Sequence, residues 1–223
     1  MLYDFHTHTF LGDGELSPIE LIRRALVKGY TAIGIAEHVG VGSLHRVITE
    51  LKDDCTLAEA HWDILAIPGV ELTHLPPQAI AETAYKSKKL GAKLVIVHGE
   101  TTVEPVEKGT NLAALQSPYV DILAHPGLLT PEEAALAAKN SIFLELTSRQ
   151  GHSLANNHVA QVAQQTGAML LINSDAHAAT DLLTPSAAQA IVSATGLNEQ
   201  QCHQVLIENP QLLIQKIKKS YCY

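Results

Sequence analysis

The chain has few aromatic side chains, with three Phe and one Trp and aromatics at 4% of its 223 residues. A stripe of rings and basic groups for stacking nucleic-acid bases is therefore not expected. Positive charge is scarce as well. Fifteen Lys and Arg face 23 Asp and Glu, a formal net charge of −8 with His neutral. That balance lacks the basic footprint of a protein that grips long nucleic acid. Long apolar runs are missing too: the longest are pieces such as Leu94–Val97 and Ala168–Ile172, far short of the roughly 18 residues of a membrane span. The opening residues, MLYDFHTH, show no basic stretch followed by an apolar one. No secretory signal is read, and a cytoplasmic location is expected. Cysteine is sparse: Cys55, Cys202 and Cys222 are scattered and form no CxxC pair, which fits reduced thiols better than a disulfide framework.

Charged residues at 17% and hydrophobic ones at 46% exclude a disordered chain. The length suits one α/β domain spanning 1–223. The abundant residue is histidine, with twelve copies, and this points toward metal.

Short β-like runs alternate with longer amphipathic segments. The runs are Leu2–His6, Ala32–Ala36, Ile64–Leu72, Lys93–His98, Val120–His125, Ser141–Leu146 and Ala168–Asn173. Most are continuously apolar, as in strands buried on both faces of a parallel sheet. The clearest helical periods lie at Arg23–Gly29, Pro77–Leu90, Pro131–Lys139, Leu154–Thr166 and Pro185–Ala194. Ser17-Pro18-Ile19-Glu20 reads as an N-cap, an N1 proline and a capping-box Glu. Thr130-Pro131-Glu132-Glu133 repeats that grammar, and Thr184-Pro185 and Asn209-Pro210 give two more starts. Gly29, Gly91, Gly167 and Gly196 sit where helices should stop. The pattern is a strand and a helix repeated seven times, followed by a C-terminal helical cap near Asn198–Glu208 and Pro210–Lys219. Alternating units of this kind imply a parallel sheet, either open and doubly wound or closed into a barrel.

The strand ends separate the two. The first finishes in His6-Thr7-His8, the second in Glu37-His38, the third in Gly69-Val70-Glu71 and the fourth in His98-Gly99-Glu100. The fifth finishes in His125-Pro126-Gly127 and the seventh in Ser174-Asp175-Ala176-His177. The steps from His6 to His38, Glu71, His98 and His125 are 32, 33, 27 and 27 residues, one strand–helix unit each time. In a barrel all these ends meet on one face; in an open sheet only those at a switch point could share a site. A closed or nearly closed barrel is the expectation. Eight or nine imidazole and carboxylate donors exceed what one ion takes, so a cluster of two to three divalent ions (Zn, Mn or Fe) is expected. His45, His61, His74 and His203 fall outside the pattern and are read as ordinary side chains.

The sequence resembles the PHP domain (polymerase and histidinol phosphatase), and most closely its stand-alone, histidinol-phosphatase-like members. His6-Thr7-His8 with Gly12-Asp13-Gly14 carries the resemblance, together with Glu37-His38, Gly69-Val70-Glu71, His98, His125-Pro126 and Ser174-Asp175-Ala176-His177. The resemblance implies a distorted (β/α)7 barrel of TIM type, a trinuclear metal centre and phosphoester hydrolysis. It places His6, His8, Glu71 and Asp175 on a first metal. Glu71 would bridge to a second metal held by His98 and His125, and His38, His177 and Asp13 would hold a third.

The activity expected on this basis is hydrolysis of a small phosphomonoester, with a water shared by two cations attacking phosphorus. Asp175 is the expected proton acceptor. Arg149, after the sixth strand, is the expected phosphate contact. His152, Glu100 and Thr101 are expected to line the substrate pocket, with His152 a candidate general acid. Two other hydrolytic activities compete. A phosphodiesterase or exonuclease acting on short oligonucleotides is compatible with the charge. An amidohydrolase-like enzyme would commonly carry a bridging Lys, and Glu71 stands in that position.

Overall fold

The computed structural model describes residues 1–219; Cys222 lies outside them. Seven strands form one sheet in the order of the chain: β1 (Tyr3–Thr7), β2 (Ala32–Val39), β3 (Leu65–Leu72), β4 (Leu94–His98), β5 (Ile122–Ala124), β6 (Phe143–Thr147) and β7 (Leu170–Asn173). Every neighbouring pair is parallel. Between β7 and β1 one parallel bridge, Thr7 to Ala176, brings the edges together. Side chains complete this seam. The Phe5 N–H donates to Asn173 Oδ1 at 2.8 Å, and the Ser174 N–H donates to Asp4 Oδ1 at 3.1 Å. The His8 N–H reaches the Ala176 carbonyl at 2.8 Å. The expected barrel is therefore present and nearly closed.

Each strand has two faces. Tyr3, Phe5, Ala32, Ala36, Ile67, Leu94, Ile96, Ile122, Ala124, Phe143 and Leu171 fill the barrel interior as one apolar cluster. The outward residues pack under the surrounding helices in a second, larger cluster. Those helices are α1 (Pro18–Val27), α2 (Leu44–His61), α3 (Pro77–Leu90), α4 (Thr110–Gln116), α5 (Pro131–Asn140), α6 (Asn156–Thr166) and α7 (Pro185–Ala194). Two of them, α2 and α4, lie outside the segments with the clearest helical period. The expected glycine stops hold: Gly29, Gly91, Gly167 and Gly196 all have positive φ.

Helix starts follow their side chains. Thr130 and Glu133 form the full reciprocal capping box, worth about 1 kcal/mol. Ser17 caps the Glu20 N–H at 3.3 Å, but the Glu20 carboxylate turns to Arg24 at 2.7 Å instead of reaching back. That half of the expected box is replaced by an i,i+4 ion pair. Asn209-Pro210 does not start a separate helix. Helix α8 (Glu199–His203) runs through a π-helical segment, Gln204–Glu208, into α9 (Asn209–Lys219). Proline has no N–H to donate, and a widened turn before it absorbs the missing bond. Leu213 and Ile217 of α9 join the interior cluster at the amino end of the barrel, so the helical cap is a plug. Among the described residues no helix is long and apolar enough to cross a membrane. Cys55 and Cys202 are free and buried.

Candidate metal centre

The strand period explains how the donors converge. Along β3 the interior column runs Ile67, Gly69, Glu71; along β4 it runs Leu94, Ile96, His98; along β2 it runs Ala32, Gly34, Ala36, His38. Each column is apolar low in the barrel and ends in a donor at the carboxyl rim. On β1 the same alternation would turn His6 and His8 outward. A bulge prevents this: Asp4 pairs with Ile33 but Thr7 with Ile35, so β1 holds one extra residue. The bulge re-aims both imidazoles inward, and both are buried.

Backbone geometry at the rim is unusual. His125 and Asp175 have φ of 26° and 54°, a region costly for residues with a Cβ and concentrated at functional sites. Gly99 follows His98 where the β4 and β5 exits touch; a Cβ there would lie 2.3 Å from the Ala124 carbonyl oxygen.

Three groups of donors lie within 4.8 Å of one another: His6, His8 and Asp175; His6, Glu71 and His125; and His8, Asp13, His38 and His177. Glu71 sits between them. Its Oε2 is 3.4 Å from His6 Nε2, 3.8 Å from His8 Nε2 and 2.7 Å from His38 Nδ1, and its Oε1 is 3.6 Å from His125 Nε2. Asp175 Oδ1 lies 3.1 Å from His8 Nε2, and its Oδ2 lies 3.8 Å from His125 Nε2. Asp13, on the β1–α1 loop, is 3.3 Å from His177 Nε2 and 3.7 Å from His38 Nε2. His98 enters none of the three groups; its ring packs 4.4 Å from that of His125.

The buried imidazoles and carboxylates shift one another strongly. Burial opposes charge on His6, but Glu145, Glu71 and Asp175 hold its pKa well above the ordinary value. Burial likewise opposes charge on His38, and Glu71 and Asp13 outweigh it, raising the pKa to about 9. Burial pushes His8 down to about 4 and His125 well below its usual range. Burial disfavours ionised Asp175 and Glu71, yet the surrounding imidazoles hold both carboxyls low. A hydrogen bond to His177 brings Asp13 to about 2.

The donor set fits divalent ions. His6 Nε2, both ring nitrogens of His8, both oxygens of Glu71 and Asp175 Oδ1 are buried without a hydrogen-bond partner. Such atoms cost on the order of 1–3 kcal/mol each when left alone, and these point at one another. Imidazole and carboxylate donors in this mixture match first-row divalent ions better than Mg or Ca.

No protein-family model matches the chain. An uncharacterized protein of Methanocaldococcus jannaschii is 44% identical over 218 residues, covering 97% of this chain and 100% of the relative. A probable phosphatase of Thermoanaerobacter sp. is 27% identical over 220 residues, covering 89% of this chain and 88% of the relative. The chain belongs to the PHP-domain superfamily. Ribonuclease P protein component 3 of Methanosarcina barkeri is 25% identical over 229 residues, covering 96% of this chain and 89% of the relative. Two solved structures share the PHP fold. A chain in archaeal ribonuclease P with mature tRNA aligns with a TM-score of 0.74 at 16% identity, covering 98% of this chain and 92% of its own. A histidinol phosphate phosphatase from Lactococcus lactis, complexed with Zn, L-histidinol and phosphate, aligns with a TM-score of 0.63 at 14% identity, covering 88% and 94%.

Around this PHP centre the remaining sequence candidates take varied positions. Arg149 is half-buried, with Nε 3.8 Å from Asp175 Oδ2 and Nη1 3.9 Å from Asp181 Oδ2. It borders a cleft of about 480 Å³ lined also by Ser148, Gln150, Ser174 and Asp181. His152, in a 3-10 turn, packs 4.4 Å from the His125 ring. Glu100 is committed to its own loop, its Oε1 accepting the N–H groups of Gly109 and Asn111 at 2.9 and 3.0 Å. Thr101 is buried beside it.

Three carboxylates outside the sequence pattern stand beside these residues. Glu145 on β6 is fully buried. Its Oε1 lies 2.9 Å from His6 Nδ1 and its Oε2 accepts the His125 N–H at 2.9 Å. It thus sets which nitrogen of His6 faces the centre. Asp181 Oδ2 accepts the N–H groups of His177 and Ala178 at 3.1 and 2.9 Å. Glu104 stands at the mouth near His74, a residue read as lying outside the pattern. An acidic residue at an inward position of an apolar strand was the available signal for Glu145. Loop geometry hid the other two.

Proposed function

We propose that the protein is a metal-dependent phosphoesterase acting on a small phosphomonoester, and that residues 1–223 work as one domain. The observation that carries this reading is Glu71, a buried carboxylate whose two oxygens make no hydrogen bond and face imidazoles on both sides. His6, His8, Glu71 and Asp175 would hold one ion, Glu71, His98 and His125 a second, and His38, His177 and Asp13 a third. Bound there, two to three Zn, Mn or Fe ions would acidify a water and neutralise phosphate charge.

The chain supplies the rest. Asp175 takes the proton of the attacking water at its carboxylate, which borders the centre. Arg149, held beside Asp175, binds the non-bridging phosphate oxygens from the cleft. Glu145 keeps the His6 ring in register. His152 forms the wall on the leaving-group side, with Glu100 and Thr101 shaping the loop behind it. The likeness to a probable phosphatase supports this assignment.

A second reading is favoured by the likeness to ribonuclease P protein component 3: the chain binds RNA or cleaves short oligonucleotides. The net charge of −8 weighs against tight binding to long RNA, and RNA binding alone would leave the orphaned donors without a task. One panel separates the two. Phosphomonoesters, phosphodiesters, short oligoribonucleotides and an amide substrate are offered with added Mn or Zn. Turnover confined to monoesters is expected. Turnover confined to oligonucleotides, or tRNA binding without any hydrolysis, would replace the proposal with the second reading.

A further inference from the structure

His98 enters none of the three groups, although its ring packs against that of His125. His98 Nδ1 donates to the Gly99 carbonyl at 3.1 Å, and Nε2 points instead toward the loop after β4. There it meets Glu104 Oε2 at 3.5 Å. The same oxygen lies 3.9 Å from His152 Nε2, and Oε1 lies 3.4 Å from His74 Nε2. These separations are longer than a direct N–H···O bond of about 2.7–3.2 Å. The separation to His98 is close to that of two donors sharing an ion: around a tetrahedral centre with ligands at about 2.0–2.1 Å, neighbouring donor atoms lie about 3.3 Å apart. A further fact points the same way. His74 is held at φ 55°, a costly conformation for a residue with a Cβ, with its ring 5.9 Å from that of His98.

We propose that Glu104 is a further metal ligand, sharing through Oε2 the divalent ion held by His98 and His125 and reaching through Oε1 to His74 at the mouth. The inference rests on the multinuclear reading above. The mixture of imidazole and carboxylate selects a first-row divalent ion. Glu104 is partly exposed, so a chelator can reach its ion.

The test uses the full chain loaded with Zn, with metal content read by mass spectrometry during chelator titration, and with the visible spectrum of the Co(II)-substituted protein. Glu104→Gln keeps the side-chain shape; Glu104→Ala is the second variant; Glu107→Gln, exposed on the same loop, is the control. Both Glu104 variants should release one ion at about tenfold or more lower chelator concentration, with altered Co(II) bands, while Glu107→Gln matches the wild type. Equal stoichiometry, chelator resistance and spectrum in both Glu104 variants would overturn the proposal, as would a wild-type chain that binds no ion. Phosphoester turnover is measured in parallel. A chain that loses an ion in Glu104→Gln yet hydrolyses no phosphoester keeps this ligand and loses the proposed function. A chain that hydrolyses with metal binding untouched by the change does the reverse.

Discussion

The two ends of the barrel both bury carboxylates, and they do so in opposite ways. At the amino end Asp121, just before β5, is fully paired. Its Oδ2 takes the Lys88 ammonium and the Val95 N–H at 3.0 Å, and its Oδ1 lies 3.4 Å from Lys216 of α9. At the carboxyl end Glu71 and Asp175 keep unpartnered oxygens, facing imidazole nitrogens that also lack partners. A buried charge with its partners in place holds elements together. A buried set of imidazoles and carboxylates whose facing atoms make no hydrogen bond fits a multinuclear metal site. The amino end is therefore a latch between α3, β5 and the C-terminal plug, and the carboxyl end is the candidate metal centre.

Four substitutions probe that contrast, in order of expected effect. Asp175→Asn removes the proposed proton acceptor and one donor of the centre. Phosphoester turnover should fall by about 10³-fold or more, while the thermal melt of the metal-free protein stays within a few degrees of wild type; retained turnover would remove Asp175 from the chemistry. Asp121→Asn should do the reverse. Urea unfolding should show a loss of about 2 kcal/mol, less than for a fully buried pair because both lysines are partly exposed, with metal content unchanged. A loss of metal instead would show that the two ends are not independent.

Glu145→Gln tests support behind the donors. Metal affinity should weaken by about 10–100-fold in chelator competition with little change in unfolding, and unchanged affinity would mean that His6 is oriented without it. Arg149→Ala should raise KM for phosphomonoesters by roughly threefold to tenfold and leave the bound metal alone. Identical kinetics would reduce Arg149 to an ion-pair partner of Asp181.

Much of the carboxyl end was legible in the sequence because barrel topology turns regular spacing into convergence. His38, Glu71 and His98 lie on the inward column of their strands, so period and strand order place them together. His6 and His8 stand out in the sequence as a pair, but the bulge that turns them inward has no sequence mark. Glu145 could have been found by the same period, since Phe143 and Glu145 share a face. Glu104 and Asp181 could not, because their positions depend on loop paths. The helix at α2 carries a sound period in Leu44, Val47, Ile48, Leu51, Cys55 and Ala58, though its later positions are small and weakly apolar. Pro210 read as a helix start because its missing N–H usually marks one; the π-helical turn before it allows the helix to continue.

The central claim, that the carboxyl rim is a multinuclear metal centre, is tested most directly by counting ions. Metal analysis of the purified, Zn-loaded chain after exhaustive dialysis should give about two to three first-row ions per molecule, all removable by a strong chelator and restored on reloading. One ion or none, with the fold intact, would contradict it.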